Sequence, residues 1–265
     1  MNTLALPSYQ SLYIEARFND QTLATGTAFL AATGGAEPRV LLITNRHIVT
    51  GRHQDSGAPL SSTGGLPNQL LVAHNGTPLG RRVELVEPLY IGETPRWIEH
   101  PGYGARVDVV GIPLSPITTP DVLAQLVPYD FSGPETRIAL VPSDPVSIVG
   151  FPFGVRVAGL FPIWSTGFVA SELSLNHNAL PCFLVDCRSR PGQSGSPVIA
   201  YRGAYTGVSM EPESGLSLAF FDEPSCRLLG IYSGRISPES DLGTVWKASV
   251  IAEIFAGALG DIGRV

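Results

Sequence analysis

The stretch RPGQSGSPV, residues 190–198, gathers glycine, serine and proline around Ser194 in a short space. It reads either as an ordinary tight turn or as a backbone bent to present a nucleophile. A serine hydroxyl is a weak nucleophile until a base takes its proton and a third group fixes the tautomer of that base. The choice between the two readings therefore rests on whether a histidine and a buried acid stand elsewhere in the chain. The turn itself supplies one more ingredient. Gly192 allows a backbone conformation that other residues avoid, which turns its N–H inward beside that of Ser194. Two such donors, about 2.7–3.1 Å from a developing oxyanion, each contribute roughly 2.7–4 kcal/mol to a transition state. Gly195 and Ser196 keep the surrounding wall small, and Pro197 stiffens the exit into the strand-like VIAY.

Five histidines are candidates for the base. His47 follows an apolar run in LLITNRHIVTG, where a strand end presents a side chain, whereas His53, His74, His100 and His177 lie in polar stretches that read as loops. The acid has to be buried, so that water does not compete for the imidazole hydrogen bond. Asp108 in RVDVVGIPL is flanked by Val107, Val109 and Val110, a costly place for a charge unless the carboxylate has a partner. Strand alternation also permits it to face outward. Asp186 in FLVDCR is the rival, much closer to Ser194 in sequence.

Composition narrows the rest. A chain of 265 residues fits one large domain or two small packed ones. Hydrophobic residues make up 44% and charged residues 15%, against roughly 25% charged in an average soluble protein, which argues against disorder. The net charge is −6 and no Lys/Arg run exceeds Arg81-Arg82, so there is no basic face for nucleic acid. No apolar run approaches the ~18 residues that cross a bilayer. The start, MNTLALPSYQSLYIEARF, lacks the positive and long apolar segments of a secretory signal, so a cytoplasmic protein is expected. The cysteines are Cys182, Cys187 and Cys226, an odd number that fits reduced thiols. Cys182 and Cys187 would face opposite sides of one strand and cannot bond. No zinc-ligand spacing occurs, and neither a metal nor a cofactor is expected.

Short apolar runs bounded by Gly, Pro, Asn or Ser recur from SLYIEARF to GTVWKAS, the pattern of an all-β chain. The region from Ser115 to Pro134 is Pro-rich with little strand pattern and reads as a connection. One long helix is expected from Lys247, where Val250, Ile254 and Ala258, with Ile251, Phe255 and Leu259, form an apolar stripe before Gly260. The expected organisation is an N-terminal β-half at 1–115, a linker at 116–134, a C-terminal β-half at 135–246 and a helix at 247–260.

TNRHIVTG resembles the histidine segment of chymotrypsin-fold serine proteases, RVDVVGIPL their aspartate strand and PGQSGSPV their serine loop. The order His47, Asp108, Ser194 is also theirs. TGTAFL, GFPFG and WSTGFVAS are similar to segments of Deg-type bacterial proteases, and TNRHIV and PGQSGSPV also resemble glutamyl endopeptidases. The resemblance implies two six-stranded Greek-key β-barrels with a C-terminal α-helix. It implies a serine endopeptidase acting on protein or peptide, with His47, Asp108 and Ser194 as its triad and the N–H groups of Gly192 and Ser194 as its oxyanion hole. Ser233, Gly234 and Arg235 would pair with the substrate backbone as an added strand. Arg188, Ser189 and Arg190, with Arg235, would line or approach the pocket for the residue before the cut, and arginine there favours an acidic side chain.

One departure is informative. Digestive members carry an aspartate just before the serine, paired with a newly cleaved N-terminus; here that position is Gln193, and that ion pair cannot form. Activation is expected to need no cleavage, or a partner protein. A catalytically inert binding module on the same fold is the alternative from another class. An α/β-hydrolase is excluded, because its order is serine, acid, histidine and its turn is G-x-S-x-G.

Overall fold

Short strands between turns dominate, as the apolar runs predict. The computed structural model describes residues 4–34, 39–78, 81–116, 122, 125–131, 138–203, 205–211, 215–221, 224–237 and 239–261. A short helix α1 (Leu6–Gln10) leads into β1 (Ser11–Phe18), β2 (Gln21–Thr33) and β3 (Arg39–Thr44). Helix α2 (Arg46–Thr50) follows, then β4 (Gln69–Gly76), β5 (Arg81–Pro88), β6 (Tyr90–Ile91), β7 (Thr94–Pro95), β8 (Val110–Pro113) and β9 (Tyr129–Asp130). The second half supplies β10 (Pro145–Gly150), β11 (Ile163–Val169), β12 (Cys182–Asp186) and β13 (Pro197–Arg202). A hairpin of β14 (Tyr205–Glu211) and β15 (Gly215–Phe221), then β16 (Ser225–Arg235), β17 (Leu242–Lys247) and helix α3 (Ala248–Asp261), complete it. Much of the expected linker 116–134 lies outside the described residues.

The second half closes into a six-stranded antiparallel barrel, β10-β11-β12-β17-β16-β13, around Ile148, Phe183, Val185, Val198 and Val245. The first half is built differently in detail. Its strands run β5-β4-β1-β2-β3-β8, with β9 joining β2 in parallel, and the end strands β5 and β8 share no ladder. A carboxylate joins them instead. Buried Glu87 on β5 accepts the Ser115 N–H at 2.9 Å and the Ser115 hydroxyl at 2.7 Å, just past β8, with Arg96 3.4 Å away. The buried charge is thus fully engaged, as burial demands.

Strand β4 is where the sequence misleads. LVAHNG ends in residues that favour turns, yet the chain stays extended and pairs His74 with Val83 on β5. His74 is buried rather than in a loop, and burial lowers its pKa to about 4. Unfolded, this group titrates near 6.5, so between about pH 6.5 and 4 the unfolded chain binds the extra proton. Stability is therefore full above about pH 6.5 and falls as pH drops towards 4, by about 3 kcal/mol from this group. Urea unfolding of wild type and His74→Leu at pH 7 and pH 4.5 is the check. The variant is expected to lose less stability on acidification, and equal losses would refute the assignment.

Helix α3 holds the two halves together. Val250, Ile251, Ile254 and Phe255 are buried in one cluster with Phe29, Ile43 and Val107 of the first half and Ile199, Ile231 and Trp246 of the second. The stripe spaced every four residues is the face that does this. Among the described residues, no helix is long and apolar enough to cross a membrane.

Candidate active site

Chain order places His47 at the start of α2, immediately after β3, where Asn45 ties the turn down by donating to the Asp108 carbonyl at 2.6 Å. Asp108 is not inside a strand as its valines suggest: β8 begins only at Val110. The aspartate sits in the irregular segment before it, with Val107 and Val109 turned into the central core. Its side chain is 0% exposed, and three donors account for that. The His47 backbone N–H reaches Oδ1 at 2.8 Å, His47 Nδ1 lies 2.6 Å from Oδ2, and the Ser233 hydroxyl also donates to Oδ2. A carboxylate only accepts, so Nδ1 carries the proton and Nε2 is left as the acceptor. Asp186, the rival acid, is exposed at the end of β12.

The serine loop is held by its carbonyls. Pro191 O accepts the Phe153 N–H at 2.6 Å and Gln193 O accepts the Ser196 N–H at 3.0 Å. In a trans peptide the N–H points opposite the C=O. The N–H groups of Gly192 and Ser194 therefore face away from these anchors, and among the described residues neither meets an acceptor. Glycine is required twice here. Gly192 has φ +93°, and a Cβ on it would sit 2.3 Å from Phe151 O. Gly195 has φ +86°, and a Cβ would sit 1.9 Å from Thr27 O.

His47 and Ser194 line one cleft of about 600 Å³, together with Ser189, Arg190, Tyr232, Ser233, Gly234, Arg235, Thr244 and Trp246. They are not hydrogen-bonded to each other; the Ser194 hydroxyl donates to the Ser233 carbonyl at 2.9 Å. Burial raises the Tyr232 phenol well above its ordinary value, so it stays protonated. Arg188 stands apart from the other residues expected there. It is exposed and lies outside the cleft lining, because along this segment Cys187 and Ser189 turn inward and Arg188 turns out. Ladder pairing of β13 with β16 ends at Pro197 and Ile231, so Ser233, Gly234 and Arg235 run on with β17 on one side only.

Ser233 was legible as part of this edge, but not as a donor to Asp108. Of the other histidines, His53 and His177 line the cleft. His100 is buried, and its Nδ1 accepts the N–H groups of Gly102 and Tyr103 at 3.0 and 3.2 Å. None of the three cysteines is in a disulfide, and burial pushes the Cys187 thiol up to about 11. Among the described residues no group of three or more His, Cys, Asp or Glu is placed to hold a metal.

A family model, the trypsin-like peptidase domain, matches residues 26–208, a span that contains His47, Asp108 and Ser194. Among curated proteins no match is found. Of solved structures, the serine endoprotease from Yersinia pestis is similar in fold, with a TM-score of 0.52 and 13% identity. That alignment covers 97% of this chain but 65% of the other, so the present chain spans less than two thirds of that protein's length. The Rv3671c protease from M. tuberculosis, in its active form, aligns with a TM-score of 0.47 and 14% identity over 95% of this chain and 81% of that one. With more than half of its length in the one family model, on a fold of a closed six-stranded barrel and a second β-sheet, the chain belongs to the trypsin-like peptidase domain family.

Proposed function

We propose that this protein is a serine endopeptidase in which Ser194 attacks a peptide carbonyl and His47 takes its proton. The observation that supports this most is the buried Asp108 carboxylate bound to both the backbone and the ring of His47, on the wall of the cleft that holds Ser194. Asp108 orients the imidazole and stabilises the imidazolium that forms. The N–H groups of Gly192 and Ser194 receive the oxyanion. His47 then gives its proton to the leaving amine, and water attacks the acyl-enzyme ester with His47 as base. A peptide substrate adds as a strand along Ser233, Gly234 and Arg235. The Ser233 carbonyl, which now accepts from Ser194, is an acceptor that a substrate N–H takes over, freeing the hydroxyl to turn towards His47. No cofactor enters this chemistry.

A serine-directed phosphonate is the test. Stoichiometric labelling of Ser194 is expected, and a folded protein that stays unlabelled would leave an inert binding module as the better reading. The Ser194–Ser233 bond also favours a second reading, a protease at rest until a partner re-aims the serine; labelling that requires added partner would select it. For the residue before the cut, Arg190 and Arg235 on the cleft wall and the hydroxyls of Ser189 and Thr244 favour an acidic side chain. Matched peptides with Glu, Ala or Lys at that position are expected to be cut in the order Glu, Ala, Lys. Faster cutting after Lys would end this preference.

A further inference from the structure

Two uncharged, fully buried residues outside the reacting atoms converge on the serine loop. Every carbonyl from Arg190 to Ser194 accepts a hydrogen bond, and three of the five donors belong to these two residues. Thr27, on β2, gives its hydroxyl to Gly192 O at 2.9 Å and its N–H to Ser194 O at 2.9 Å. The same hydroxyl accepts the Phe151 N–H at 3.2 Å. A residue of the first half thus grips the second half at three points. Gln193 works from the other side. Its N–H donates to Arg190 O at 3.2 Å, its Oε1 accepts the Arg190 N–H at 2.6 Å, and its Nε2 donates to the Ser165 hydroxyl on β11 at 2.8 Å. Both side chains are 0% exposed, so no water competes for these bonds.

We infer that Thr27 and Gln193 are positioning residues that hold the oxyanion loop formed, with no ionised partner. This rests on the endopeptidase reading above. The physical need is plain at Gly192, whose peptide groups rotate more freely than those of any other residue type. A rotation there would carry one of the two inward N–H groups away from the oxyanion. Thr27 fixes the carbonyl side of Gly192, and Gln193 closes the turn from Arg190 onward. Neither residue reaches the substrate, so their loss is felt only where charge develops.

Thr27→Val removes the hydroxyl at nearly constant volume, Thr27→Ser restores it, and Gln193→Met removes both amide bonds at similar length. In Thr27→Val and Gln193→Met, kcat is expected to fall about 10- to 100-fold, less than the loss of a whole oxyanion donor. KM should stay within about threefold, since ground-state binding is untouched. Affinity for a peptide aldehyde, which forms a tetrahedral adduct, should fall by the same factor as kcat, while affinity for the cleaved product peptide is unchanged. Thr27→Ser should recover kcat to within about threefold of wild type. Ser165→Ala, on a strand away from the loop, is the milder variant, with an expected loss of about threefold to tenfold; it keeps the question decidable if the others do not fold. Wild-type kcat in the folded variants, a Thr27→Ser as impaired as Thr27→Val, or a loss confined to KM overturns the inference alone. A wild type inert to both aldehyde and phosphonate overturns the endopeptidase reading, and this inference with it.

Discussion

Ser194→Ala is expected to lower kcat by about 10⁶-fold and to abolish labelling by a serine-directed phosphonate. The hydroxyl lines the same cleft as His47 and belongs to the loop whose Gly192 and Ser194 N–H groups meet no acceptor among the described residues. Its one hydrogen bond goes to the Ser233 carbonyl, so the variant should fold with stability changed by about 1 kcal/mol. Residual turnover of about 10³–10⁴ over the uncatalysed rate is expected from the hole and substrate binding. Turnover of a fluorogenic peptide and the mass of the phosphonate adduct measure the two effects. A folded Ser194→Ala enzyme that retains more than about a hundredth of wild-type kcat would remove Ser194 from the chemistry.

Asp108→Asn should cost about 10⁴-fold in kcat at neutral pH with KM little changed. The cause lies in what each oxygen now does. Oδ1 takes the His47 backbone N–H, and Oδ2 takes the ring Nδ1–H and the Ser233 hydroxyl. An asparagine keeps one acceptor oxygen for the backbone and presents an NH₂ group to the ring. The imidazole then carries its proton on Nε2, where it cannot receive one from serine. The Ser233 hydroxyl can turn its lone pair to the new amide, so the stability cost should stay near 1–3 kcal/mol. Circular dichroism confirms the fold, and steady-state kinetics give the split. A loss of less than tenfold would mean that another group orients His47.

What the sequence made legible is local chemistry. Gly192 is legible because the turn needs a conformation other residues avoid, and its φ is +93°; Gly195 reads only as a small wall residue, and its positive φ beside Thr27 O comes from the fold. The α3 stripe is legible because its period repeats over three turns. Asp108 is legible as an anomaly, a charge among valines, though not its place outside the strand. Side chains that act across the fold are harder. Thr27 is one threonine in TGTAFL until β2 brings it to Gly192, and Glu87 is one of two acids in RRVELVEP until Ser115 meets it. Arg188, Ser189 and Arg190 read as one pocket wall; in the fold Ser189 and Arg190 line the cleft, while Arg188 is exposed beside it.

The apolar face of α3 has a bearing on alignment. His47 and Asp108 belong to one half of the chain and Ser194 to the other, and a misplacement of about 1 Å between reacting groups can cost a factor of 10². The buried face of α3 packs against both halves at once. On the endopeptidase reading, loosening that seam would leave the chemistry of each half intact while spoiling the register between them.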